Sequence, residues 1–205
     1  MSFILPPEPN GTVIVKSEDA RRWHNLFAEA EKRIKEIEHF NEGLDIPAIN
    51  ELRYVSFHLL EILTSPPVAQ ESHNAKVISH LQRAIYDACE ALISLQLKEL
   101  RKFQEDYRLT VVSDVIKNYQ ELMQNAEEAS SLIKGKQRGH DGREDYYAEA
   151  LKHVDVLQKI NITLRAARDE LNKKLNIQRR DSRRWFIGFG VTLFSAIAGL
   201  VIKLM

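Results

Sequence analysis

The sequence predicts an all-α protein: an antiparallel helical bundle followed by a single C-terminal transmembrane helix. Three observations predict it. Apolar residues recur at 4-3 spacing along most of five helical stretches, nothing in the body alternates as strands do apart from Thr12 to Val15, and the chain ends in a long run without an ionisable group. A length of 205 residues suits one domain with a proper core plus an accessory element. The expected organisation is an N-terminal extension (1–16), a cytosolic helical bundle (17–178), a basic juxtamembrane flank (179–184) and a membrane anchor (185–205).

The first helix is expected over 18–41. Ser17 is its N-cap, Glu18 and Asp19 suit the positive helix end, and Trp23, Phe27, Ala30, Ile34 and Ile37 form the apolar stripe. The second starts after Asp45, tolerates Pro47 in its first turn and ends at Thr64-Ser65-Pro66-Pro67. A long third helix, 68–107, carries Leu81, Ile85, Ala88, Leu92 and Leu95 on one face. A fourth, 111–133, carries Val112, Val115, Tyr119, Leu122, Ala126 and Ile133. After the glycine-rich loop 134–143, Asp141 and Glu144 have the spacing of a capping box. The fifth helix carries Leu157, Ile160, Leu164, Ala167 and Leu171. No glycine or proline interrupts 144–186, so it is expected to run unbroken into the membrane.

The formal net charge of zero hides an asymmetry. Arg179, Arg180, Arg183, Arg184 and Lys203 face only Asp181 in the last 27 residues, which leaves the body mildly acidic. Such a body is no broad electrostatic trap for nucleic acid. The lone Cys89 excludes an internal disulfide framework and suits a reducing compartment. Met1 to Leu5 has no basic leader, and its apolar run stops at Pro6-Pro7, so no signal peptide is expected. The run from Trp185 to Ile202 holds no ionisable group and, as a helix, spans roughly 27 Å, close to the hydrocarbon thickness of a bilayer. The four arginines before it place the body in the cytoplasm, with Trp185 at the interface. Gly188, Gly190, Ser195 and Gly199 permit close helix packing in lipid.

No glycine-rich phosphate loop, paired-cysteine zinc spacing, H-E-x-x-H pair or Ser–His–Asp order is present, so no metal and no cofactor are expected. One pattern remains. Arg53 and His58 form an R-x4-H, and His80, Arg83 and Asp87 lie on one face of the next helix as a candidate pocket. Histidine and arginine together suit metal-independent RNA cleavage, in which an imidazole moves the 2′-hydroxyl proton and a guanidinium holds the developing phosphate charge. On an ideal helix Arg53 and His58 lie roughly 140° apart, so a site needs Arg53 to reach around or a second copy to contribute. Ordinary structural polar groups, a ribonuclease site, and an RNA- or nucleotide-sensing pocket all remain open readings.

The run E-L-R-Y-V-S-F-H-L-L, followed one helix later by H-L-Q-R-A-I-Y-D-A-C-E, resembles the HEPN superfamily of helical prokaryotic defence domains, over roughly residues 45–105. Within it, the likeness is to the small membrane-anchored accessory proteins of type VI CRISPR systems. The resemblance implies a helical bundle that dimerises or oligomerises, with Arg53 and His58 at the superfamily's R-x4-H positions. Active members usually place Asn, Asp or His directly after the arginine, where this chain has Tyr54. The accessory-protein likeness implies a ring-like oligomer that permeabilises or depolarises the inner membrane. Its partners would be the bilayer, further copies of itself, and RNA or a CRISPR effector complex. A membrane-tethered ribonuclease and a passive tail-anchored scaffold are the alternatives.

Overall fold

The computed structural model describes residues 15–41, 43–135 and 143–185, and every regular element among them is helical. The order is α1 (Ser17–Asn41), α2 (Ile46–Thr64), α3 (Pro67–Asp106), a 3-10 turn (Val112–Asp114), α4 (Tyr119–Lys134) and α5 (Arg143–Ala166). The chain is helical again over 168–185. It divides into two compact units, 1–98 with 125–158 and 99–124 with 159–205, so α3, α4 and α5 contribute residues to both.

In the first unit, α2 folds back on α3 across Ser65-Pro66. Pro66 and Pro67 cannot continue a helix begun upstream, and Ser65 N–H still donates to Glu61 O as the α2 C-cap. As the chain goes back along α2 from His58 to Glu51, the facing residue on α3 advances from His73 to His80, so the two helices are antiparallel. Val55 and Ile62 of α2 pack with Val77 and Leu81 of α3, and Trp23 and Leu26 of α1 cover that cluster. Trp23 Nε1 donates to Asn74 Oδ1 at 2.9 Å. The buried Arg33 reaches Glu29 (2.8 Å), Glu36 (3.1 Å) and Asp155 (3.2 Å), which ties α1 to α5 through one guanidinium. Ala30, Ile34, Ile37, Leu81, Ile85, Ala88, Leu92 and Leu157 are all buried, as their stripes require. Leu95 is half-buried and Phe27 is exposed.

In the second unit, Phe103 and Tyr107 at the end of α3 pack on 168–172. Tyr107 Oη donates to Asn172 Oδ1 at 3.0 Å, Arg168 pairs with Asp106 at 3.3 Å, and its guanidinium lies 5.7 Å from the Phe103 ring. Leu164 and Leu171 are buried in this unit.

Three expectations are corrected. Ser17 is the first helical residue rather than the cap, because Lys16 O already accepts from Ala20 N–H. The fourth helix begins at Tyr119, not 111. Val112 and Ile116 are buried as anchors of a tight 3-10 segment, and Asn118 O accepts the first α-helical bond, from Leu122. The missed signal was Asn118 with Glu121 three residues on, a capping-box spacing. The fifth helix is not unbroken: α5 ends at Ala166 and Ala167 is a turn. Thr163 Oγ1 donates back to Lys159 O, a bond that bends helices without glycine or proline. Asp141 lies outside the described residues.

Among the described residues no helix is long and apolar enough to cross a membrane. The anchor's residues beyond Trp185, with Gly188, Gly190, Ser195 and Gly199, lie outside them.

The core assignment has a direct test. Leu81→Ala is expected to lower unfolding stability by about 2–5 kcal/mol, whereas Val68→Ala, at a 94% exposed position, should change it by less than about 0.5 kcal/mol. Urea melts of the detergent-solubilised chain measure both.

Candidate functional site

The site begins with register. His58 and His73 stand at equal distances before and after the Ser65-Pro66 turn, and so do Glu51 and His80, so an antiparallel hairpin sets each pair face to face. His58 Nδ1 lies 3.1 Å from His73 Nδ1. His80 Nδ1 donates to Glu51 Oε2 at 2.5 Å. The His58 ring stacks on His80, with centroids 5.3 Å apart and planes 23° apart. Tyr54 covers the other side of His80 at 5.2 Å, and Phe57 meets His58 edge-on.

These side chains line a recess of about 580 Å³ formed by Asn50, Arg53, Tyr54, Phe57, His58 and His80. The 140° between Arg53 and His58 is bridged by Tyr54 and Phe57, which occupy the arc between them on α2. Arg53 Nη1 donates to Asn50 Oδ1 at 3.0 Å, which holds the guanidinium at the rim. The recess therefore combines one cation, two imidazoles and two aromatic faces. That donor set suits a phosphate joined to a planar base.

The sequence-derived site residues separate. Arg53, His58 and His80 come together; Arg83 is exposed and Asp87 half-buried, and neither lines the recess. The two share the helix face of His80, but the recess opens beside Asn50, Arg53 and Tyr54 of α2 and does not extend to them. Arg179, Arg180, Arg183, Arg184 and Trp185 are all exposed at the end of 168–185, within the second unit. His73, Glu51, Asn50 and Phe57 are the members that sequence spacing alone missed. Folding the sequence about Ser65-Pro66 would have found the first two.

Electrostatics divide the imidazoles. Burial, then the charges of His80, His73 and Lys76, lower the His58 pKa from its ordinary 6.5. The short Nδ1–Nδ1 contact has the same consequence, since two imidazoliums are donors only and cannot share it. Glu51 fixes the ring orientation of His80, as a carboxylate does for a working histidine. Cys89 is fully buried, and burial pushes its thiol up to about 12, so it is inert. Among the described residues no group of three or more His, Cys, Asp or Glu is arranged to hold a metal ion.

No family model, curated protein or solved structure matches the chain.

A lowered His58 pKa has a signed consequence. The neutral ring suits the fold, so its contribution is fully present above about pH 6.5 and is lost as pH falls through the lowered value. Tm should therefore drop between pH 7.5 and 5.5, and His58→Phe, which keeps the ring volume without the charge, should shrink that drop. An unchanged pH dependence in His58→Phe would place the acid sensitivity elsewhere.

Proposed function

We propose that the chain is a membrane-anchored defence effector of HEPN-like kind, which self-associates through α2 and permeabilises or depolarises the inner membrane that holds it. The observation that carries this reading is the outer face of α2. Tyr54, Phe57, Leu60 and Leu63 are all exposed there, on a helix with only three charged residues, Glu51, Arg53 and Glu61. An apolar face of this kind marks an interaction surface. An antiparallel pairing of two copies about Phe57 sets Arg53 of one against Glu61 of the other, so the charges complement along with the apolar row. It also brings two recesses side by side.

The uncharged run 185–202 and its flanking arginines support the membrane half of the reading, with a single pass and the bulk of the chain cytoplasmic. One helix cannot enclose a pore, so action on the membrane needs several copies. Gly188, Gly190, Ser195 and Gly199 supply the small residues that let anchors pack. Besides the bilayer and further copies of the chain, the partner is RNA or a CRISPR effector complex, read through the recess.

In mild detergent the chain is expected to sediment well above its 23.7 kDa monomer mass. Phe57→Asp with Leu60→Asp should return it to the monomer while leaving the helical circular dichroism intact. Induced expression should depolarise cells, and the double variant should not. A monomeric wild type with no change in membrane potential would leave the scaffold and the tethered ribonuclease as the readings standing.

A metal-independent ribonuclease is the second reading, favoured by the arrangement of His58, His80 and Glu51 beside Arg53. One imidazole would take the 2′-hydroxyl proton and the other would protonate the 5′-oxygen leaving group, while Arg53 holds the charge on the phosphate oxygens. Cleavage of single-stranded RNA in the presence of a chelator, falling by about 10²-fold or more in His58→Ala and in Arg53→Ala, would establish it. RNA binding without cleavage would keep the recess as a sensor.

A further inference from the structure

We infer that the turn joining α3 to the 3-10 segment, residues 107–111, rests on the bilayer surface, and that the recess it forms with residues 175–183 takes a phospholipid headgroup. This inference rests on the membrane-anchored reading and adds a second point of membrane contact to it.

Leu109 is 78% exposed and Val111 57% exposed, at the tip of a turn whose two ends are fixed. On one side, Tyr107 is buried and bonded to Asn172, and Asp106 pairs with Arg168. On the other, Lys174 pairs with Asp114 at 3.3 Å. The apolar tip is therefore a placed feature of this unit rather than a frayed end. Single exposed leucines are ordinary; the company of this one is not. A recess of about 930 Å³ is lined by Arg108 and Leu109 from the turn and by Leu175, Arg179 and Arg183 from the helix.

The recess reaches Arg183, two residues before the uncharged run begins at Trp185, a rise of roughly 3 Å along a helix. The headgroup layer of a bilayer is about 5–7 Å deep on each side, so a chain that enters lipid at Trp185 carries the Arg183 end of this recess at headgroup level and Arg179 at its outer edge. Its charges are mixed, with Glu105, Asp106 and Asp181 beside the arginines. Asp106 already pairs with Arg168, and Glu105 with Arg108 at 3.1 Å. Arg179 and Arg183 are thus the donors for a lipid phosphate, and Asp181 suits the ammonium of a zwitterionic headgroup. Leu109 and Val111 would meet the membrane interface from the same side of the unit, as exposed apolar side chains do there.

The test uses the full chain carrying Leu109→Cys, labelled with a nitroxide and reconstituted in phosphatidylethanolamine–phosphatidylglycerol vesicles. The native Cys89 is buried and escapes the label. Collision with oxygen and with a water-soluble nickel complex reports depth. The expected result is oxygen access exceeding nickel access several-fold relative to a free aqueous label, with the ratio falling towards the aqueous value in an Arg179→Glu, Arg183→Glu background. A chain that floats with the vesicles but carries an aqueous Leu109 label overturns the inference and leaves the anchor standing. A label shielded from both reagents overturns it in favour of a protein partner. A chain that does not float removes the anchor, and this contact with it.

Discussion

The α2–α3 hairpin is the constraint on which the rest depends. Once the two prolines end α2, its register against α3 is set by the packing of Val55 and Ile62 on Val77 and Leu81. A one-turn slip of about 5.4 Å would pull His58 from His73 and Glu51 from His80 together. The same packing uses only one side of α2. The other side is left apolar and bare, and the recess opens along the boundary between the two.

The hairpin also explains why a weak motif gains meaning. R-x4-H on a helix is cheap as a pattern, and its two members point roughly 140° apart. What assembles a site is the facing helix, which supplies His80 as a second imidazole and His73 as a neighbour that keeps one ring of the pair neutral. Tyr54, directly after Arg53, stacks on His80 and presents an aromatic face beside the arginine. An aromatic platform stands at this position rather than a residue suited to moving protons. That placement favours binding over cleavage, and it is the reason the effector reading stands ahead of the ribonuclease.

The fold class and the core positions were legible from the sequence because 4-3 spacing reports directly which face is buried; Leu81, Ile85, Ala88 and Leu92 need no tertiary information. The irregularities were not. The break at Ala167 falls beside Thr163, whose hydroxyl donates to Lys159 O, and helical periodicity carries no trace of it. The late start of α4 was visible only to a reading that weighed Asn118 above the apolar Val112 and Val115. Half the site was legible: Arg53, His58 and His80 as individual residues. Glu51 and His73 required the hairpin register, whereas Arg83 and Asp87 share the helix face of His80 without lining the recess.

The central claim is that two copies meet across the outer face of α2 with Phe57 at the dyad. Oxidative cross-linking of Phe57→Cys in native membranes tests it most directly, because the inert Cys89 contributes no background. The account expects rapid, near-complete conversion to a species at twice the monomer mass, abolished when Leu60→Asp is added. A Phe57→Cys chain that remains uncross-linked, while the wild type still sediments as an oligomer, would contradict it and move the interface to another face.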